Sequence, residues 1–144
     1  MPGERDADIA KLALARVGFV DKIHRSVRQL SGGQFQLATI ARVLVQEPRI
    51  LLLDEPMSHP DLRNKKRLVD LLSELAHDGF TVLLTTHDPD IAAILAGNIV
   101  LMRKGHVLAS GKTDQIFTSE LLSEVYDLPI CVEKLRDRKT IIWN

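Results

Sequence analysis

Cysteine is all but missing from this chain, with Cys131 the only one in 144 residues. A lone thiol excludes an internal disulfide, offers no metal-ligand spacing, and suits a reducing compartment, with the cytosol as the default. Net charge is missing too, because 19 Lys and Arg balance 19 Asp and Glu. No basic field draws the chain to nucleic acid or acidic lipid, and a nucleic-acid role would need a local patch. Long hydrophobic runs are also lacking. The longest mostly apolar stretch, Ile91 to Met102, is broken by Gly97 and Asn98 and is shorter than the roughly 20 residues that span a bilayer. The opening MPGERDADIA is polar and acidic, without the basic-then-apolar order of a signal peptide. Any membrane contact has to come through a partner. No repeat, low-complexity segment or Pro/Gly/Ser-rich linker divides the chain, which predicts one structural unit over residues 1–144.

What is present suffices for a core, since 45% of the residues are apolar and 26% charged. Ile9, Leu12, Ala13 and Val17 recur at helical spacing, and Gly18 stands where a left-handed cap stops a helix. A second helix opens near Ser31 and carries Leu37, Ile40, Ala41, Leu44 and Val45 on one side until Pro48 forbids continuation. Ile50 to Leu53 is a short continuous apolar run, the mark of a strand covered on both faces in a parallel sheet. A helix over Leu62 to His77, ended by Asp78-Gly79, precedes a second buried strand, Thr81 to Thr85, and a helix from about Asp90 to Ala96. Ile99 to Met102 and Val107 to Ser110 flank a turn and predict a hairpin. A helix near Ser119 to Tyr126 and a second hairpin, Ile130 to Leu135 with Thr140 to Trp143, complete an α/β chain.

Three places carry chemistry. At Ser31-Gly32-Gly33-Gln34 two glycines open a helix, so unhindered backbone N–H groups at the positive end of its dipole can face a phosphate. Alternatively, Ser31 and Gln34 form an S-x-x-Q capping box that needs no ligand. At the end of the Ile50–Leu53 run come Asp54 and Glu55, and Pro56 turns the chain away. Ligands of open parallel sheets bind at that edge, and adjacent carboxylates there are costly to desolvate without a cation, water or polar partner. A magnesium ion and a polarised water would satisfy both, Asp54 supporting the metal shell and Glu55 taking a proton from, or orienting, the attacking water. The plainer alternative is an acidic turn leading into a helix. Thr85-Thr86-His87-Asp88 follows the second buried strand, which places His87 at the same sheet edge, where its imidazole can contact a terminal phosphate. His24, His59, His77 and His106 share no spacing with acidic residues and read as surface or loop positions.

Taken together these residues resemble the nucleotide-binding domain of ATP-binding cassette (ABC) ATPases, from about Ala7 to the end. Leu30 to Gln34 is similar to the cassette signature, Ile50 to Pro56 to the Walker B strand with its following glutamate, Ser58 to Asp61 to the D-loop, and His87 to the switch histidine. The resemblance implies a P-loop NTPase-like, mostly parallel sheet with flanking helices and C-terminal β-hairpins. It places the signature helical region in 7–48, the Walker B, D-loop and switch core in 49–112 and a C-terminal extension in 113–144. It further implies that two cassettes close head to tail on ATP and Mg2+. Ser31, Gly32, Gly33 and Gln34 then face the nucleotide of a partner cassette, Asp54, Glu55 and His87 act on their own, and Asp61 links the two sites. Transmembrane permease subunits, a substrate-binding protein and a cytoplasmic place on the inner membrane face follow from the same likeness, with no nucleic-acid partner. The tail TSELLSEVY resembles that of importers of iron chelates, cobalamin or metal ions such as zinc and manganese, though the same spacing fits a plain packing helix.

Two positions depart from the family pattern: Pro60 stands where the D-loop usually has leucine, and Leu37 where an arginine commonly follows the signature. The larger departure is the Walker A P-loop, expected together with the adenine-stacking aromatic and the Q-loop ahead of Met1. Gly111-Lys112-Thr113 supplies a GKT ending, but five residues separate Gly105 from Gly111 where the motif has four, and it follows a hairpin. It reads as a turn. Hydrolysis by this chain alone is therefore not expected, because phosphate cradling supplies much of the stabilisation in phosphoryl transfer. Two other readings stand beside an importer ATPase subunit: a non-catalytic cassette partner or decoy, and the rear lobe of a chromosome-maintenance ATPase. Sustained heptads before Leu30 would favour the last, and the short helix ending at Gly18 opposes it.

Overall fold

The computed structural model of the chain describes residues 3–58, 60–136 and 138–143. They form two compact units that part between Thr86 and His87. No Pro/Gly-rich linker marks the boundary, so composition gives no sign of it.

The first unit begins with α1 (Glu4–Arg16), which stops as Gly18 takes a φ of +66°. Ala13 and Val17 are buried, but Leu12, which shares their spacing, is 69% exposed. Two 3-10 turns, Val20–Lys22 and Val27–Gln29, lead into α2 (Gly32–Leu44). Its stripe of Leu37, Ile40, Ala41 and Leu44 is buried, and Leu37 is wholly so. The position that lacks the family's arginine is thus a core position in this chain. There follow β1 (Ile50–Leu53), α3 (Leu62–His77) and β2 (Thr81–Leu84). Leu68, Leu71, Leu72 and Leu75 form the buried stripe of α3, and Gly79 at φ +91° turns the chain out of it. α1 packs on α2, α2 on α3, and α3 on β2.

β1 and β2 pair in parallel, in register from Ile50 opposite Thr81 to Leu53 opposite Leu84. One face of this sheet is covered, with Leu51 1% exposed. The other is bare: Ile50, Leu52 and Leu83 are 60%, 72% and 61% exposed. Coverage on both faces is therefore not found. α3 packs against β2, and among the described residues nothing covers the face of Ile50, Leu52 and Leu83. Among the described residues each strand also has a single partner, so β2 has an unpaired outer edge, a feature that favours association with further strands.

The second unit contains α4 (Pro89–Leu95), β3 (Asn98–Arg103), β4 (His106–Lys112), α5 (Thr113–Ile116), α6 (Ser119–Tyr126), β5 (Ile130–Leu135) and β6 (Arg138–Trp143). β3 and β4 form an antiparallel hairpin with a two-residue turn, Lys104-Gly105, both at positive φ, +50° and +80°, as a turn matched to strand twist requires. β5 and β6 form the second hairpin. Its β6 starts at Arg138, two residues before the expected Thr140. Ile99, Leu101, Phe117, Leu122 and Ile130 make the core. Two serines of α6 tie down β5: Ser123 Oγ accepts from the Ile130 N–H at 2.9 Å, and Ser119 Oγ from the Val132 N–H at 2.9 Å.

The GKT segment is not a turn. Gly111 lies inside β4 opposite Ile99, and Lys112 ends the strand and directly precedes the four-residue α5. A strand running straight into a helix leaves no loop to wrap a phosphate, so the segment is no P-loop. Among the described residues, no helix is long and apolar enough to cross a membrane.

Candidate functional site

The capping box at the head of α2 is formed. Ser31 Oγ accepts from the Gln34 N–H at 3.4 Å, and Gln34 Oε1 accepts from the Ser31 N–H at 3.3 Å. This does not consume the N-terminus, because the amides of Gly32 and Gly33 belong to the first turn and have no intrahelical acceptor. The two glycines differ in their surroundings. A Cβ on Gly32 would meet nothing within 4 Å, whereas one on Gly33 would lie 2.8 Å from Asn64 Cβ and 3.0 Å from its Nδ2. Gly32 leaves the helix end open; Gly33 lets α2 press onto α3.

Asp61 stands at that same junction. Its Oδ1 accepts from the Asn64 N–H at 2.9 Å and caps α3, while its Oδ2 accepts from Asn64 Nδ2 at 3.0 Å. Asn64 thus links Asp61 to Gly33, a connection the sequence reading missed. Its only sequence signal was the D-x-x-N spacing of a helix cap. Of the D-loop, His59 lies outside the described residues. His24, His77 and His106 are exposed.

Just past the last paired residues, Leu53 and Leu84, the Thr85 N–H donates to the Leu53 carbonyl oxygen at 2.9 Å, which brings Thr85 beside Asp54. The Thr85 hydroxyl donates to Asp54 Oδ1 at 2.5 Å and accepts from the Glu55 N–H at 3.0 Å. Glu55 has a φ of +42°, a left-handed conformation that costs a non-glycine residue on the order of 1 kcal/mol and collects at functional sites. Ser58 Oγ, 2.8 Å from Glu55 Oε2 and 3.0 Å from the Glu55 carbonyl oxygen, donates to this residue and closes the turn. Pro56 and Met57, both buried, anchor it. Thr85 is the second functional residue that local sequence pattern does not single out, because its role arises from contact across strands.

Asp54 and Glu55 are both exposed, so no desolvation penalty calls for a cation there. The donor set still fits magnesium, which is held by one or two carboxylates, water and substrate phosphates and not by an all-protein cage. No group of three or more His, Cys, Asp or Glu converges among the described residues.

His87 opens the second unit with an exposed side chain. Its carbonyl oxygen accepts from the Tyr126 hydroxyl at 3.0 Å. Asp88 caps α4, its Oδ1 accepting from the Ile91 N–H at 3.2 Å, and Pro89 takes the first helical position. A groove of about 440 Å³ is lined by His87, Asp88, Asp90, Tyr126, Leu128 and Trp143, among others. Burial raises the Tyr126 pKa, and the charges of Asp88 and Asp90 raise it further, so the phenol stays protonated and able to donate.

The structure thus joins Ser31 to Gln34 with Asp61 through Asn64, and Asp54 with Glu55 through Thr85, both in the first unit; His87 is held in the second. The ABC transporter family profile matches residues 4–58. The manganese transport system ATP-binding protein MntA of Synechocystis is 38% identical over 122 residues, 85% of this chain and 46% of that protein. The macrolide export ATP-binding/permease protein MacB of Nitrosomonas europaea is 45% identical over 114 residues, 79% of this chain and 17% of that protein. Among solved structures, an ABC transporter described as metal-chelate type, in an inward-facing conformation, matches at a TM-score of 0.90 and 33% identity, covering 100% of this chain and 58% of that one. The chain spans about half the length of MntA, or less than half, at 46%.

Proposed function

Because the chain belongs to the ATP-binding cassette family of transporter ATP-binding proteins, we propose that it supplies the signature and Walker B parts of an ATPase that powers import of a metal ion or metal chelate. The observation that carries this reading is the Thr85 bridge, which fixes Asp54 and the Glu55 backbone at the carboxyl end of a parallel sheet. When bound, a magnesium nucleotide supplies the electrophilic terminal phosphate. Asp54 offers it a hard oxygen ligand. Glu55, on a turn held by Ser58 and Thr85, orients a water and accepts its proton. The open first-turn amides at Gly32 and Gly33 face the phosphate of a nucleotide on a second cassette, with Ser31 and Gln34 shaping that helix end. Asp61, capping α3, relays between the two sites, and His87 contacts the terminal phosphate.

Among the described residues there is no strand-P-loop-helix unit, so in this reading other sequence supplies the phosphate cradle. The unpaired edge of β2 and the bare face at Ile50, Leu52 and Leu83 suit the packing of such a segment. Permease subunits hold the assembly at the cytoplasmic side of a membrane, with a substrate-binding protein delivering the cargo. A metal cargo is favoured by MntA, a manganese transport protein by name, and by the metal-chelate type transporter; MacB is an exporter by name. The test is to mix the chain with a polypeptide carrying the P-loop half and measure magnesium-ATP turnover. Turnover by the mixture and not by either part supports the assignment, and an inactive mixture that forms a stable complex supports a non-catalytic partner. Manganese accumulation in vesicles bearing the permease then tests cargo and direction.

A further inference from the structure

We infer that Tyr126, through its hydroxyl on the His87 carbonyl, is the positioning residue that lets the C-terminal helix α6 set the orientation of His87. The inference deepens the role given above to His87 and rests on it. Tyr126 Oη donates to the His87 carbonyl oxygen at 3.0 Å across 39 residues of sequence. A carbonyl lies in the plane of the peptide that follows it. Pinning it limits the ψ of His87, and with it the direction in which the imidazole leaves the chain.

The donor is itself held. Ser119 and Ser123 fasten α6 to β5, and beyond its last turn Asp127, at φ +59°, accepts from Arg103 Nη2 of β3 at 3.0 Å. The phenol is half-buried among groups that keep it protonated, with burial the first cause and Asp88 and Asp90 following. The acceptor side is equally fixed on its far flank. Asp88 caps α4, and Asp90 Oδ1 accepts from Thr140 Oγ1 at 3.0 Å and from the Ile141 N–H at 3.1 Å, which ties α4 to β6. Tyr126 therefore closes a loop of contacts around a histidine whose side chain remains exposed. A partner that shifts α6 would be felt at His87 without touching it.

Tyr126→Phe removes one oxygen and keeps the ring, so the melting temperature should hold within a few degrees. Two readouts follow. Hydrogen exchange on the whole chain should quicken about 3- to 10-fold at the amides of residues 86–88, the loss expected for one net hydrogen bond, while the α6 and β5 amides stay unchanged. In the reconstituted mixture, kcat should fall with KM unchanged, and His87→Ala combined with Tyr126→Phe should be no slower than His87→Ala alone. Unchanged exchange at 86–88 overturns the positioning role. Faster exchange with turnover insensitive to His87→Ala leaves the positioning intact and refutes the function assigned to His87. Losses that multiply in the double variant would show that Tyr126 acts apart from His87 and overturn the coupling.

Discussion

The Thr85 hydroxyl sits 2.5 Å from Asp54 Oδ1 and 3.0 Å from the Glu55 amide, so one side chain just past the end of β2 fixes two consecutive acidic residues just past the end of β1. It gives its proton to the carboxylate and receives one from the backbone, a polarised chain that neither strand could build alone. Thr85→Val keeps the shape and removes both bonds. Turnover of the reconstituted mixture should drop by about 10- to 100-fold, the usual result of displacing a reacting group by an ångström, with little change in melting temperature. Thr85→Ser should restore it.

Gly33 has no room for a side chain. A Cβ there would stand 2.8 Å from Asn64 Cβ, against neighbours on another helix that can yield little. Gly33→Ala should cost about 1–3 kcal/mol of stability as overpacking, measured by urea unfolding. Gly32→Ala, with open space around its Cβ, should be nearly neutral or slightly stabilising. The same pair separates packing from ligand binding, since only a phosphate site would make Gly32→Ala cost turnover.

Ser31→Ala removes one half of the capping box and should destabilise α2 by about 1 kcal/mol, seen as a lower urea midpoint. Ser31→Arg places a bulky cation at the open helix end. It should block turnover of the mixture while nucleotide binding by the P-loop half persists; unchanged turnover would leave the capping box as the sole role of this segment.

The bare face of the β1–β2 sheet predicts self-association. Ile50, Leu52 and Leu83 form an apolar surface beside an unpaired strand edge, a combination that soluble monomers avoid. On a sizing column the chain alone should elute as concentration-dependent oligomers, and Leu52→Lys should shift it toward monomer. A cooperative melt with monomeric elution of the unaltered chain would contradict this.

Much of this was legible in the sequence because local signals agreed. The apolar stripe of Leu68, Leu71, Leu72 and Leu75 with its Asp-Gly stop set α3, and Thr118 with the run to Tyr126 set α6. Lys104-Gly105 declared its hairpin through the positive φ that glycine allows. What local pattern does not carry is which surfaces meet. The alternation-free run Ile50 to Leu53 implied two covered faces, yet coverage depends on partners outside the run, and one face is open. Leu12 kept helical spacing and still faces outward.

The site was legible to a similar depth. Asp54, Glu55 and the Ser31 to Gln34 turn stand out as candidates because strand-then-acid and glycine-then-helix orders have a physical meaning within a few residues. Thr85 and Asn64 escaped because their roles arise from register across strands and from contact between helices, at separations of about thirty residues. Asp54 and Glu55 are exposed for a related reason: an apolar strand does not ensure a buried strand end.

The role of Glu55 is measured most directly by magnesium-ATP turnover of this chain mixed with a P-loop-bearing half, compared between the natural residue and Glu55→Gln. The amide keeps the size and the left-handed turn but cannot take a proton from water. A fall of about 10²- to 10⁴-fold, the usual worth of a positioned general base, with nucleotide binding retained, is the predicted result. An active mixture whose rate is untouched by Glu55→Gln would contradict the account.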